Sequence, residues 1–202
     1  MEEAKLIEIK KLIEKYGVAS KTLVENDKPF LKIESYEIKL NNGKTIYRDR
    51  LVKNSGRGSG CACVVVPVLE NGDILLVVQP RPFTHLGAQL DFPAGYLNND
   101  EDHKSAALRE LEEETGYKAS EIKEVAYYYQ DEGIGDARNK IYIARGLKKV
   151  SEVKLDEDEY LETLTVKACD IKELIELGYL ASGGAAIAYA HLLLEGIVRK
   201  GE

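Results

Sequence analysis

Apolar and polar positions switch between helical and strand periods often enough to outline most elements of the chain. Residues 2–16 place Leu6, Ile9, Ile13 and Tyr16 at helical spacing among charged residues, and Gly17 follows as a stop, which predicts an amphipathic helix. Two strand-like runs, 30–40 and 44–52, are joined by Asn41-Asn42-Gly43, a strong hairpin signal. Residues 61–69 and 73–79 are almost continuously apolar around a Glu70-Asn71-Gly72 turn, so a second, buried hairpin inside a mixed sheet is expected. Residues 89–93 lead as a strand into Ala94-Gly95. Residues 105–114 are good helix formers, preceded by the turn and N-cap types Asn98, Asn99 and Asp100 and closed by Gly116 at a C-cap position. Beyond them, 122–130, 140–144 and 162–166 read as strands and 170–177 as a short helix with Asp170 as N-cap. A last helix, 182–199, is apolar on most sides. The expected fold is α+β: an α/β/α sandwich with a mixed sheet, preceded by an N-terminal helix and β-hairpin.

Length and composition bound this picture. With 202 residues and 44% hydrophobic content, the chain suits one compact domain with an added element. The segment 54–60, rich in Gly and Ser, is the most linker-like in the chain, which divides an N-terminal element, 1–55, from a main domain, 56–202. No run of about 18 apolar residues occurs and the N-terminus is charged, so a soluble, cytoplasmic protein without a membrane segment is expected. A net charge of −7 and the lack of a basic stripe argue against a nucleic-acid partner. An anionic substrate would then need a metal ion and local arginines. Cys61, Cys63 and Cys169 stand in apolar surroundings without His at metal spacing and read as small buried hydrophobes.

The chemistry concentrates in the helix at 105–114. At about 100° per residue, Glu110, Glu113 and Glu114 share one arc, while Leu108 and Leu111 on an adjacent face can anchor the helix to a core. From Asp100 to Glu114 seven acids face only Lys104 and Arg109, a local charge of −5. Oxygen ligands one helical turn apart, with no obligatory His or Cys, suit a hard cation such as Mg²⁺ or Mn²⁺ completed by water and substrate phosphates. An exposed acidic helix face is the plainer alternative for those glutamates taken alone.

The full stretch 95–117 fits the pattern G-x5-E-x7-R-E-U-x-E-E-x-G-U, with Gly95, Glu101, Arg109, Glu110, Leu111, Glu113, Glu114, Gly116 and Tyr117 in the fixed places. This resembles the Nudix hydrolases, which cleave nucleoside diphosphates linked to another group; Tyr117 stands where the family usually has an aliphatic residue. The Gln79-Pro80-Arg81 turn, Asp91-Phe92-Pro93-Ala94-Gly95, the acidic stretch 156–159 and the leading hairpin look like the ADP-ribose pyrophosphatase branch. The resemblance implies metal binding by Glu110 and Glu114, with Glu113 as an added ligand or supporting catalytic group and the Ala94 carbonyl beside them. It makes Arg109 and Glu101 an orienting pair, and Gly95 and Gly116 structural positions of the motif. A general base is expected at Glu159, with Glu157 second, and the same branch implies a homodimer in which the N-terminal strands exchange.

Substrate contacts are expected at Arg81, whose guanidinium can fork onto two phosphate oxygens, at Gly95, and at Tyr128 as a stacking ring. Where ADP-ribose enzymes often carry Ser-Pro-Gly, this chain has Asp131-Glu132-Gly133, which makes Glu132 a candidate for reading sugar hydroxyls. The implied reaction is metal-dependent hydrolysis of ADP-ribose or a related nucleoside diphosphate sugar to a nucleoside monophosphate and a sugar phosphate. A non-catalytic nucleotide-sugar sensor and a hydrolase of another nucleoside diphosphate derivative stand as alternatives.

Overall fold

In the computed structural model, residues 1–24, 31–53, 60–155 and 159–198 are described. Asn41-Asn42-Gly43 closes the first hairpin as expected: β1 (Leu31–Lys39) pairs antiparallel with β2 (Thr45–Lys53) in a sheet of their own, and Gly43 takes φ 82°, the left-handed region that glycine enters without strain. Phe30, expected to start β1, and the linker residues 54–59 lie outside the described residues.

The second apolar pair behaves differently. β3 (Ala62–Pro67) and β4 (Ile74–Pro80) meet across the Glu70-Asn71-Gly72 turn only at the bridge Val68 to Ile74, and they then enter separate sheets. β3 is buried at every position and β4 at its first five, so each needs strands on both edges and cover on both faces. β3 obtains this between β6 (Ala94–Tyr96) and β8 (Arg138–Lys149), with β7 (Tyr117–Tyr129) outside β8; the β3–β8 pair is parallel and the others antiparallel. β4 lies between β5 (Ala88–Asp91) and β9 (Glu162–Val166), both antiparallel to it. The single mixed sheet expected from the sequence is thus a four-stranded mixed sheet facing a three-stranded antiparallel one.

Residue parity divides the core. Val64, Val66, Ile141 and Ile143 point between the two sheets, where they meet α1 (Glu3–Tyr16), α3 (Ile171–Glu176) and α4 (Gly183–Leu194). Cys63, Val65, Tyr142 and Ala144 point the other way, under Ala106, Ala107 and Leu111 of α2 (His103–Thr115). Helices therefore cover both sides of the sheets, as the sandwich reading requires. Among the described residues no helix is long and apolar enough to cross a membrane.

Helix α1 departs from its expected grouping with the hairpin. Ile9, Ile13 and Tyr16 are buried in the main core against β4 and β5, so the face spelled out by the helical spacing docks there and not on β1 and β2. The hairpin touches the rest through its end, where the Leu51 N–H donates to the Ile134 carbonyl and Arg50 pairs with Asp136 at 2.7 Å. Asp170 occupies the N-cap position of α3 without a side-chain capping bond; its carboxylate instead faces the Met1 ammonium at 3.4 Å. The last helix stops at Leu194, earlier than residue 199, because Gly196 turns the chain at φ 69°. Cys61 and Cys63 are buried thiols, whereas Cys169 is only half-buried.

The placement of α1 has a measurable consequence. Ile9→Ala should cost about 2–5 kcal/mol in urea unfolding, and Ile7→Ala, on the exposed face of the same helix, should stay within about 0.5 kcal/mol. Equal effects would contradict the docking of α1 on the main core.

Candidate active site

The N-cap of helix α2 lies two residues beyond Asp100, and the helix starts at His103, ahead of the run of helix formers at 105–114. Asp102 is its N-cap, its Oδ1 accepting from the N–H groups of Lys104 at 2.9 Å and Ser105 at 3.1 Å, while Asp100 turns the preceding loop at φ 62°. At the other end Gly116 has φ 75°, and a Cβ there would stand 2.2 Å from the Ser151 carbonyl oxygen, so glycine is required twice over. Ala106, Ala107 and Leu111 seat the helix on β3 and β8, with Leu108 half-buried beside them. This seating drives the acidic arc inward. Glu110 is 6% exposed and Glu114 3%, deeper than an edge along a cleft wall.

The strand β6 is shaped to receive these acids. A Cβ on Gly95 would fall 1.9 Å from Glu110 Oε1, so the carboxylate occupies the space that any other residue would need. One residue earlier, the Ala94 N–H donates to Glu114 Oε2 at 3.1 Å, which ties β6 to the buried acid.

Arg109 organises the remainder, with all five of its N–H donors engaged. Nε and Nη2 hold the two oxygens of Glu101 at 3.0 Å each, a bidentate pair; Nη2 also donates to the Tyr96 carbonyl at 3.0 Å. Nη1 reaches Glu110 Oε1 at 2.7 Å and Glu113 Oε2 at 2.8 Å. These bonds hold the guanidinium pKa well above its ordinary value and pull that of Glu101 below the usual carboxylate range.

The two buried glutamates shift the other way. Burial raises the pKa of Glu110, with Arg109 opposing and Glu113 and Glu159 adding repulsion. Burial raises that of Glu114 further, and the charge of Glu110 adds to it against the Ala94 hydrogen bond. Across the cleft, the Arg81 Nη2 donates to Asp91 Oδ2 at 3.1 Å and the Ser182 hydroxyl to Asp91 Oδ1 at 3.2 Å.

A cleft of about 680 Å³ joins these groups; Arg81, Ala94, Gly95, Arg109, Glu110, Glu113, Glu114 and Glu159 all line it. Glu101 stands behind Arg109, and Gly116 lies at the far end of α2. Two expected substrate contacts are elsewhere. Tyr128 has the predicted parity, opposite its exposed neighbours Tyr127 and Tyr129, but that face packs on the core. Its hydroxyl accepts from Asn139 Nδ2 at 2.9 Å, so Asn139, and not the ring, meets the cleft. Glu132 is exposed in the loop between β7 and β8 and is not among the lining residues. Glu157 lies outside the described residues.

The cleft also holds residues that sequence reasoning passed over: Gln79, Tyr96, Asn98, Gln130, Asn139 and Tyr160. Gln130 donates to Asn139 Oδ1 at 2.6 Å across the β7–β8 end. Two carboxamides where those strands close were the available signal.

A Nudix domain model matches residues 61–189. The chain belongs to the Nudix family. It is similar to the ADP-ribose pyrophosphatase of Bacillus subtilis strain 168, with 34% identity over 161 residues that span 79% of this chain and 83% of that one. The methanol dehydrogenase activator of Bacillus methanolicus is 30% identical over 166 residues, 82% of this chain and 86% of its own. The crystal structure of an ADP compounds hydrolase superposes with a TM-score of 0.69 over 88% of this chain and 94% of that one, at 21% identity, which bears on the fold alone.

Nudix hydrolases generally need a divalent metal ion. Among the described residues no group of three or more His, Cys, Asp or Glu side chains stands ready to hold one, since Arg109 Nη1 holds Glu110 and Glu113 and the Ala94 amide holds Glu114. The donor chemistry nevertheless fits: two nearly buried carboxylates raised in pKa by burial and mutual repulsion, with oxygen lone pairs left over, suit a hard divalent cation.

A carboxyl whose folded pKa lies above its unfolded value binds its proton more tightly in the fold. Its stabilising contribution is full below the unfolded value near ~4.3 and is lost as pH rises through the folded value. Glu114→Gln should therefore melt higher than the wild type at pH 7.5 in EDTA, with the gap closing near pH 4. A lower melting temperature for the variant at pH 7.5 would contradict the electrostatics described.

Proposed function

We propose that this Nudix pyrophosphohydrolase uses Mg²⁺ or Mn²⁺ to cleave the pyrophosphate bond of ADP-ribose or a related nucleoside diphosphate sugar. The products are a nucleoside monophosphate and a sugar phosphate. The observation that carries the reading is the pair of carboxylates, Glu110 and Glu114, buried against Gly95 and Ala94 and lining a cleft that holds Arg81 and Glu159.

Glu110 and Glu114 would hold the ion, with Glu113 beside them on Arg109. When bound, it neutralises diphosphate oxygens and draws charge from the bridge that breaks. Arg109 and Glu101 keep those carboxylates at fixed positions and offset part of their repulsion. Arg81, tied through one Nη to Asp91, has its other donors available for a substrate phosphate. Glu159 serves as base: it takes a proton from a water whose oxygen attacks phosphorus, and the bridging oxygen leaves with the other phosphate. Tyr96 and Tyr160 line the cleft and replace Tyr128 as candidates for stacking a base, while Gln79, Gln130 and Asn139 are candidates for contacting hydroxyls.

Further proposals follow from the surface. The exposed apolar residues of the hairpin, Ile33 and Tyr47 at 70% each, support pairing with a second copy of the chain. Free thiols at Cys61, Cys63 and Cys169 support a reducing, cytoplasmic location.

Purified protein with Mg²⁺ or Mn²⁺ should release monophosphate from at least one compound in a panel of nucleoside diphosphate sugars. Glu159→Gln should lower kcat by about 10²–10⁴-fold. No monophosphate from any member of the panel would end the enzymatic reading. Ile33→Asp should shift sedimentation from dimer toward monomer; a wild type that sediments as a monomer would remove the dimer proposal.

A further inference from the structure

Helix α1 ends against the segment that carries the chain from Glu159 into β9. Tyr16, the last residue of the helix and 4% exposed, stacks on Tyr160 with ring centroids 4.4 Å apart and a tilt of 36°. Its hydroxyl donates to Glu162 Oε2 at 3.0 Å, and the Lys15 ammonium reaches the same oxygen. Between them Leu161 is buried, and Glu162 pairs with Val78 as β9 joins β4. Each of the three residues after Glu159 thus has its own tether: a ring stack, a core contact, and a doubly bonded carboxylate on a paired strand.

Glu159 and Tyr160 are exposed and line the cleft, and the negative charge of Glu159 acts on both Glu110 and Glu114. A base must sit within hydrogen-bond reach of the proton that it takes, and a misplacement of about 1 Å can cost on the order of 10²-fold in rate. Strand pairing in β9 begins at Glu162, three residues after Glu159, with Leu161 buried between them.

We propose that Tyr16, assisted by Lys15, is a positioning residue that fixes Glu159 through Tyr160 and Glu162. The N-terminal helix then serves the catalytic cleft as well as the core. The inference rests on the assignment of Glu159 as base.

The test uses the full chain with Mg²⁺ and a substrate that the wild type hydrolyses. Tyr16→Leu should lower kcat by about 10-fold with KM within about twofold, and Tyr16→Phe, which keeps the ring, should recover most of the rate. Ile13→Ala, buried on the same helix but not touching the Glu159 segment in this way, should lower the melting temperature and leave kcat near the wild-type value. In a Glu159→Gln background, Tyr16→Leu should have no further effect on kcat, because the path from ring to rate runs through that carboxylate. If Tyr16→Leu fails to fold, Tyr160→Leu removes the same stack from its exposed side and carries the same expectation for kcat in the double-mutant cycle, with KM left out of the comparison because Tyr160 itself lines the cleft.

Hydrogen exchange separates the brace from the reaction. Amides of residues 160–162 should exchange faster in Tyr16→Leu whatever the catalytic rate. An inactive wild type would overturn the functional reading and leave the brace to be judged by exchange. Unchanged exchange, or an equal loss of kcat with and without Glu159, would overturn the proposal itself.

Discussion

Two like-charged carboxylates, Glu110 and Glu114, are withdrawn from water on one helix, and much of the surrounding structure answers that constraint. Burying an anion is unfavourable unless it is paired and hydrogen-bonded, and burying two side by side more so. Arg109 supplies charge to Glu110, the Ala94 amide supplies a hydrogen bond to Glu114, and Gly95 leaves the volume that the Glu110 side chain needs. The compensation is partial, as both carboxyl pKa values remain raised. A residual demand for positive charge facing a cleft is what a cation with a diphosphate can meet.

The rest of the fold delivers this pair to the cleft. Small residues on α2, Ala106 and Ala107, let the helix approach β3 and β8 closely, and that approach carries Glu110 and Glu114 down to β6. β6 is short and is separated from Asp91, the end of β5, by only two residues, so one brief connection joins the two sheets at the cleft. Arg81 follows directly on β4 and Glu159 precedes β9, its neighbour in the second sheet. The groups proposed to meet substrate therefore come from both sheets and converge where the sheets part.

Much of this was legible in the sequence, for reasons that differ by element. The helix at α1 was readable because its charged and apolar residues alternate at a clear period, and the hairpin because Asn41-Asn42-Gly43 leaves few other turns open. β9 was found residue for residue. The separation of β3 from β4 was hidden because strands apolar on every side carry no face information, and a turn between them does not say which partners they choose. The N-cap of α2 was misplaced because Asp100 and Asp102 are the same residue type; only the backbone shows that Asp102 accepts the capping bonds. Tyr128 shows a further limit. Strand parity correctly set it apart from Tyr127 and Tyr129, but which face meets the cleft depends on sheet order, which parity alone does not contain.

Asp91 extends the same electrostatic logic to the opposite wall. It ends β5, and burial lifts its carboxyl pKa while Arg81 and the Ser182 hydroxyl lower it. Ser182 is also the N-cap of α4, accepting from the Ala185 amide at 3.1 Å, so one side chain joins a helix start to the acid that aims Arg81. The charge of Asp91 contributes in turn to the raised pKa of Glu114. The arginine expected to meet phosphate and the glutamate expected to hold a cation are therefore linked through a shared acid. Loss of Arg81 would leave Asp91 unpaired beside Glu114, so its effect would extend beyond one missing phosphate contact.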